Sequence, residues 1–385
     1  MDAKQLLFAL LRNVICGEPL SDDAKNACTP ETLERTYQLA NHHDLAHLVG
    51  QAISRLDLPE SEAGKKCKSA AMMAVYRYTR IAYEYQRICE TLENAQIPFI
   101  PLKGSVLRDH YPEPWMRTSC DIDILVRVEI LEEAAQLLVD KLSFDRQGKG
   151  DHDISLYSPN GVHLELHYLA VDEGRMPEAQ KVLADIWTDA TPLPGKQYQR
   201  VMSDEMFYFY HIAHMAKHFN NGGCGIRPFL DMWILNHRMS NDRAAREKLL
   251  ARGSLQQFTA AAEKLSEMWF SGVEMDVLSQ KLERFILDGG VYGTQKSLVA
   301  VHQSRKGSKV KYALSRIFLP YQSLKYQYPI LQKHRWLTPV YEVVRWCKLL
   351  FKGGVKRSLR EMQINAQLSP EEIGSTEELI QYLGI

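Results

Sequence analysis

The chain of 385 residues carries no net charge, since 47 Lys and Arg balance 47 Asp and Glu. The overall balance therefore points to neither a polyanionic nor a polycationic partner. Its seven cysteines (Cys16, Cys28, Cys67, Cys89, Cys120, Cys224 and Cys347) are odd in number and form no CxxC pair. That fits free thiols in a reducing cytoplasm better than a disulfide framework or a zinc site. No apolar run reaches the roughly 18 residues of a membrane span. The opening "MDAKQLLFALLRNV" has an acid at residue 2 and an apolar run broken by Arg12, so it reads as an amphipathic helix and not a signal peptide. Repeats and low-complexity tracts are lacking too. What remains is a composition of 45% apolar and 24% charged residues, ordinary for a cytoplasmic globular protein of two or three domains.

Periodicity divides the chain into three. Residues 1–96 carry apolar residues at helical spacing, punctuated by Pro59 and Pro98. Residues 97–195 change texture. "IPFIPL" reads as a buried strand, "GSVLRDHY" as a helix starting after Gly104, "DIDILV" as a strand and "EILEEAAQLLVDKL" as a helix. "HDISLYSP" and "VHLELHYLA" form a hairpin across Pro159-Asn160-Gly161. Residues 196–385 return to helix. Ser203 stands as N-cap with Asp204 and Glu205 in the first turn, and breaks fall at Gly222-Gly223, Gly289-Gly290 and Gly353-Gly354. The expected fold class is α+β: a small mixed-sheet core flanked by N- and C-terminal helical domains.

The alternation in "SCDIDILV" places Asp121 and Asp123 on one strand face, with Ile122 and Ile124 on the other. Adjacent carboxylates repel unless something positive lies between them. A divalent cation with a preference for oxygen ligands is one answer, and two solvated acids on an edge strand is the other. In "VHLELHYL", His163, Glu165 and His167 likewise share a face, and Glu165 is the preferred third carboxylate over Asp151 and Asp153. "HLELH" on a strand is not the helical HExxH of zinc enzymes.

A Gly104-Ser105 turn, an Asp121-x-Asp123 strand and a later strand carrying Glu165, in that order, resemble the polymerase-β-type nucleotidyltransferase superfamily. More narrowly, "LKGSVL…YP…R…DIDILV", "ELHY", "HIAHMAKHF", "GIRPFLD" and "LPYQSLKYQYPILQKHRWLTPVYEVVRW" are similar to a bacterial family described only as uncharacterised nucleotidyltransferases, over residues 80–350. The 15 residues between Ser105 and Asp121, including "YPEPWMRT", exceed the superfamily's short form.

The resemblance implies a metal-dependent transfer of a nucleoside monophosphate from an NTP to a hydroxyl acceptor, with release of pyrophosphate. Asp121, Asp123 and Glu165 would be the catalytic and metal-holding acids, for Mg2+ with Mn2+ as the alternative. Lys103, Gly104, Ser105 and Arg117 would meet the nucleotide. Gly104 lets backbone approach a phosphate, the Ser105 hydroxyl donates to it, and the following helix aims its amides there. His214 and His218, on one stripe with His211 beside Lys217, join His167 as candidates for substrate contact. So do Arg227 and Asp231, which stand four apart as a helical ion pair. The acceptor (small molecule, protein or RNA) is not written in the sequence. The competing reading is a non-catalytic nucleotide- or RNA-binding module on the same fold, and a zinc hydrolase built on His163, His167 and the His211 helix is a third.

One region is lopsided in charge. Residues 296–360 hold 15 Lys or Arg, including Lys352, Lys356 and Arg357, against the single acid Glu342, with Tyr and Trp interleaved. Such a field suits an anionic partner, either RNA or a lipid surface.

Overall fold

The structure is a computed structural model that describes all residues except 59, 151, 172–175, 240–241, 275 and 352–354, with backbone alone at 322, 326, 349–351 and 355–357. Pro59, Asp151, Lys352 and the Gly353-Gly354 break therefore lie outside the described residues, as do the side chains of Lys356 and Arg357.

Five strands form one mixed sheet: β1 (Phe99–Pro101), β2 (Asp121–Val126), β3 (Asp145–Lys149), β4 (Asp153–Tyr157) and β5 (His163–His167), in the spatial order β1-β2-β5-β4-β3. β2 and β5 pair in parallel and every other pair is antiparallel. Ile122, Ile124, Leu164, Leu166, Ile154 and Leu156 are all fully buried on one face. They pack with Ile88 and Leu92 of the Glu62–Asn94 helix and with Ala134, Ala135 and Leu138 of the Leu131–Leu142 helix. Pleat alternation then sends Asp121, Asp123 and Glu165 to the opposite face.

A second core lies on that opposite side, and distant parts of the chain share it. Leu6, Leu7 and Phe8 of the Ala3–Leu11 helix join Phe229, Leu230 and Trp269 from the other end of the sequence, with the Phe8 and Trp269 rings stacked at 4.9 Å. The Asp204–Asn220 and Arg227–Arg238 helices contribute to this core and roof the polar face of the sheet. Ser203 caps the first of them, its Oγ accepting from the Met206 amide at 3.2 Å over Asp204 and Glu205 in the first turn. No helix among the described residues is long and apolar enough to cross a membrane.

One local expectation is corrected, and one strand had no counterpart among the expectations. The helix after Gly104 is a single α-turn, Gly104–Leu107, followed by a 3-10 turn Arg108–His110. Pro112 and Pro114, just downstream, lack the amide hydrogens that a longer helix would need. The strand β3 has no apolar signal to announce it, because all five of its residues are exposed at the sheet edge.

His47 links the N-terminal helices to the loop before β2. Its Nε2–H donates to the Met116 carbonyl at 2.8 Å inside a sealed interface, and burial lowers its pKa to about 4. The folded value lies below the ordinary 6.5, so the unfolded chain binds the extra proton between those values. Stability is then whole above pH 6.5 and falls as pH drops toward 4, by roughly 3 kcal/mol from this group alone. Thermal melts across pH 4–7 should show that loss, and His47→Gln should make it shallower by this group's share, the remainder coming from other buried histidines such as His43.

Candidate active site

Residues from several distant stretches of the chain line a cavity of about 520 Å³ between the polar face of the sheet and the two roofing helices. Ten of the twelve residues singled out above line it: Lys103, Gly104, Arg117, Asp121, Asp123, Glu165, His214, His218, Arg227 and Asp231. Ser105 and His167 do not. Ser105 is buried within the single turn and is not among the lining residues. His167 is sealed beneath the carboxylates.

The parallel register sets Asp123 directly opposite Glu165, and His163 opposite Asp121. Asp123 is buried, and two nitrogens answer it: Lys103 Nζ at 2.7 Å and His167 Nε2 at 2.8 Å, both on Oδ1. His167 also lies 3.3 Å from Glu165 Oε2. Burial would raise the Asp123 pKa, but the neighbouring Lys103 charge and the His167 hydrogen bond outweigh it and hold the carboxyl well below its usual range. Glu165 is held low chiefly by its hydrogen bond from His167. Burial lowers the His167 pKa, yet its two carboxylate bonds raise it further, so the imidazole tends toward the cation. Asp121 moves the other way, raised first by burial and then by the charge of Asp123.

Asp123, Glu165 and His167 each offer a ligand atom within 4.8 Å of the others and form a metal-capable group. Asp121 stands outside that group. A two-residue step along a strand is about 6.6 Å, and the register brings Asp121 to His163 and not to Glu165. His163 is turned aside, with Nε2 at 2.6 Å from Ser155 Oγ. Asp153 pairs with His167 one strand further out.

Lys103 reaches Asp123 from an unusual backbone conformation, φ 44° and ψ −121°. A non-glycine residue at positive φ is strained by about 1–3 kcal/mol and persists where the surroundings enforce it. Here its carbonyl accepts from the Val106 and Leu107 amides, while Arg108 Nε donates to the Gly104 carbonyl at 2.7 Å. A Cβ at Gly104 would meet protein atoms no closer than 3.5 Å, so the fold itself does not require glycine there.

The expected Arg227–Asp231 pair does not form. Each residue instead reaches a different segment across the cleft. Arg117 Nε and the Tyr111 hydroxyl both donate to Asp231 Oδ1 at 2.7 Å. Arg227 bonds Asp44 Oδ2 at 2.5 Å and the Thr118 carbonyl at 3.2 Å. Asp231 is buried and Arg227 half-buried against these separate partners, so the two do not meet along the helix. Arg117 thus ties the loop before β2 to the roofing helix through Nε while still lining the cavity.

The roof carries the His stripe in unequal roles. His211 Nε2–H donates to the Pro228 carbonyl at 2.9 Å and braces the two helices. The His214 ring meets those of Tyr210 and His218, and burial with the nearby Lys103 charge pushes its pKa well down, so it is neutral near pH 7. Tyr210 was not picked out from sequence. It is buried, lines the cavity and has a hydroxyl without a hydrogen-bond partner among the described residues, and its charged neighbours include Lys103 and Asp123. Asp44, Arg77 and Tyr292 were missed as well. Asp44 carried a faint signal, as an aspartate at a helix break where φ is 56°.

Neither the curated proteins nor the solved structures contain a match to this chain. A family model does match, over residues 29–271, starting upstream of the stretch that carries the resemblance and leaving the basic C-terminal segment uncovered. On that match over more than half its length, the chain belongs to the family described as uncharacterised nucleotidyltransferases.

Proposed function

We propose that this cavity transfers a nucleoside monophosphate from an NTP to a hydroxyl group of an acceptor. The observation that supports it most is the pairing of Asp123 with Glu165 across parallel strands, facing a cavity with cationic and hydrogen-bonding groups on its other walls. Two carboxylates suit Mg2+ or Mn2+ better than a thiophilic metal, and His167, with Nε2 on both of them, would orient the acids rather than select the ion. Asp123 and Glu165 would hold such an ion, with Asp121 beside them. Once bound, a divalent cation neutralises triphosphate charge and polarises the phosphate that is attacked.

The chain's own groups supply the rest. Gly104 leaves room for backbone to approach a phosphate, and Lys103 offers an ammonium beside it. The unpartnered Tyr210 hydroxyl is placed to donate to a phosphoryl oxygen. The acceptor oxygen forms a bond to the α-phosphorus as the bond to pyrophosphate breaks. The acceptor proton passes to a base, for which ionised Glu165 and neutral His214 are the candidates on the cavity wall. The single turn after Gly104 adds little dipole, so anion binding rests on side chains.

One observation favours a second reading. Lys103 and His167 already satisfy Asp123 without a metal, as a non-catalytic nucleotide-binding module would require. Incubation with α-labelled NTPs and Mg2+ or Mn2+ separates the two. Transfer of label and release of pyrophosphate support the enzyme, whereas nucleotide binding that is indifferent to metal and gives no product supports the module.

The two aspartates should behave oppositely when neutralised. Asp123→Asn removes the counter-charge of Lys103 and His167, and breaking such a buried pair costs about 3 kcal/mol or more. Asp121→Asn relieves repulsion and should leave the melting temperature unchanged or raised. Both should lower transfer, Asp123→Asn by about a thousandfold on the scale of lost electrostatic stabilisation. Tyr210→Phe should reduce kcat by roughly a hundredfold if its hydroxyl meets the transferred phosphoryl group, again on that scale, with no loss of stability because no protein bond is broken.

A further inference from the structure

The basic segment lies beyond the matched residues 29–271, and the cavity makes no use of its excess charge. Some of its cations are answered: Arg345 by Glu342, Arg316 by Glu361 and Lys296 by Glu372. Lys306, Lys311 and Lys333 are exposed and enter no ion pair among the described residues.

Exposed apolar side chains lie in the same segment. Along the Lys309–Ile317 helix, Val310, Leu314 and Ile317 recur at i, i+4 and i+7, a single stripe followed at once by exposed Phe318. The opposite side of that helix is already used, since Tyr312 is buried with Val299 and Leu368. On the Thr338–Phe351 helix, Val340 and Val343 are exposed, and Trp336 just before it is 75% exposed. The two helices are fastened together. Trp346 Nε1–H donates to the Ile317 carbonyl at 2.9 Å, and the Phe318 and Trp346 rings lie 5.4 Å apart. The result is a set of exposed apolar side chains among lysines that no other described residue covers.

We propose that this face, formed by residues 306–348, docks on an anionic lipid surface. Charge complementarity selects the occupant. A second copy of the chain would bring two uncompensated basic rims together. RNA would use the cations and rings but would leave Val310, Leu314, Val340 and Val343 without a role, because aliphatic side chains do not stack on bases. A bilayer interface uses every part: aliphatic side chains enter the acyl boundary, Trp336 sits at headgroup level, and lysine stems carry their charge outward to anionic headgroups. This inference stands independently of the transfer reaction.

The test is co-sedimentation of the full chain with phosphatidylcholine vesicles, with and without phosphatidylglycerol, at low and high salt. Binding should require phosphatidylglycerol and weaken with salt. The triple variant Lys306→Glu/Lys311→Glu/Lys333→Glu should bind these vesicles about a hundredfold more weakly or worse, each charge near such a surface being worth roughly a factor of five. Leu314→Ser/Val340→Ser should weaken vesicle binding by roughly tenfold or more through lost apolar insertion, while leaving any retention of labelled RNA unchanged. All the substituted side chains are exposed, and unaltered circular dichroism confirms that the variants fold. Four results would overturn the proposal: no wild-type binding to anionic vesicles at low salt, equal binding to neutral vesicles, RNA binding without vesicle binding, or a wild-type dimer that Leu314→Ser/Val340→Ser dissolves.

Discussion

The contact between Lys103 Nζ and Asp123 Oδ1, 2.7 Å long, holds the candidate site together. Asp123 is buried beside Glu165 and Asp121, and three carboxylates gathered out of water would otherwise take up protons. The ammonium of Lys103 and the imidazole of His167 keep Asp123 ionised. The chain accepts a strained backbone at residue 103 to bring that ammonium into place. Asp121, farther from both cations, is the acid whose charge is resisted. Chemically distinct roles for two aspartates two residues apart thus follow from position alone.

The cavity has two walls, and polar contacts between distant segments fix their separation. Arg117 and Tyr111, from the loop before β2, grip Asp231 on the roofing helix, while Asp44 from the N-terminal helices grips Arg227. A core shared by the two ends of the chain supports this arrangement, with Phe8 stacked on Trp269. The helices on either side of the sheet in sequence therefore form a single support in space. Their joint product is the cavity itself, since the sheet alone would present its carboxylates to open water.

The sheet core was the most legible part of the sequence. The alternation in "DIDILV" and "VHLELHYL" announced β2 and β5, and the helix between them followed from its periodicity. β3 was not legible, because an edge strand with every side chain in solvent has no buried face to impose alternation. The turn after Gly104 read as a longer helix because a local pattern does not reveal where packing stops a helix.

By itself the sequence determined which residues share a face: Asp121 with Asp123, and Glu165 with His167. That follows from the two-residue period of the strand, a property of the local backbone. Only the tertiary structure decided which acids meet, since the parallel register between β2 and β5 sets Asp123 against Glu165 and leaves Asp121 outside the group. It also decided that Arg227 and Asp231 part company, that Arg117 serves Asp231, and that Tyr210 brings an unpartnered hydroxyl to the cavity. Hydrogen bonds and ion pairs between residues over a hundred positions apart depend on how distant surfaces are packed, and no local spacing encodes that.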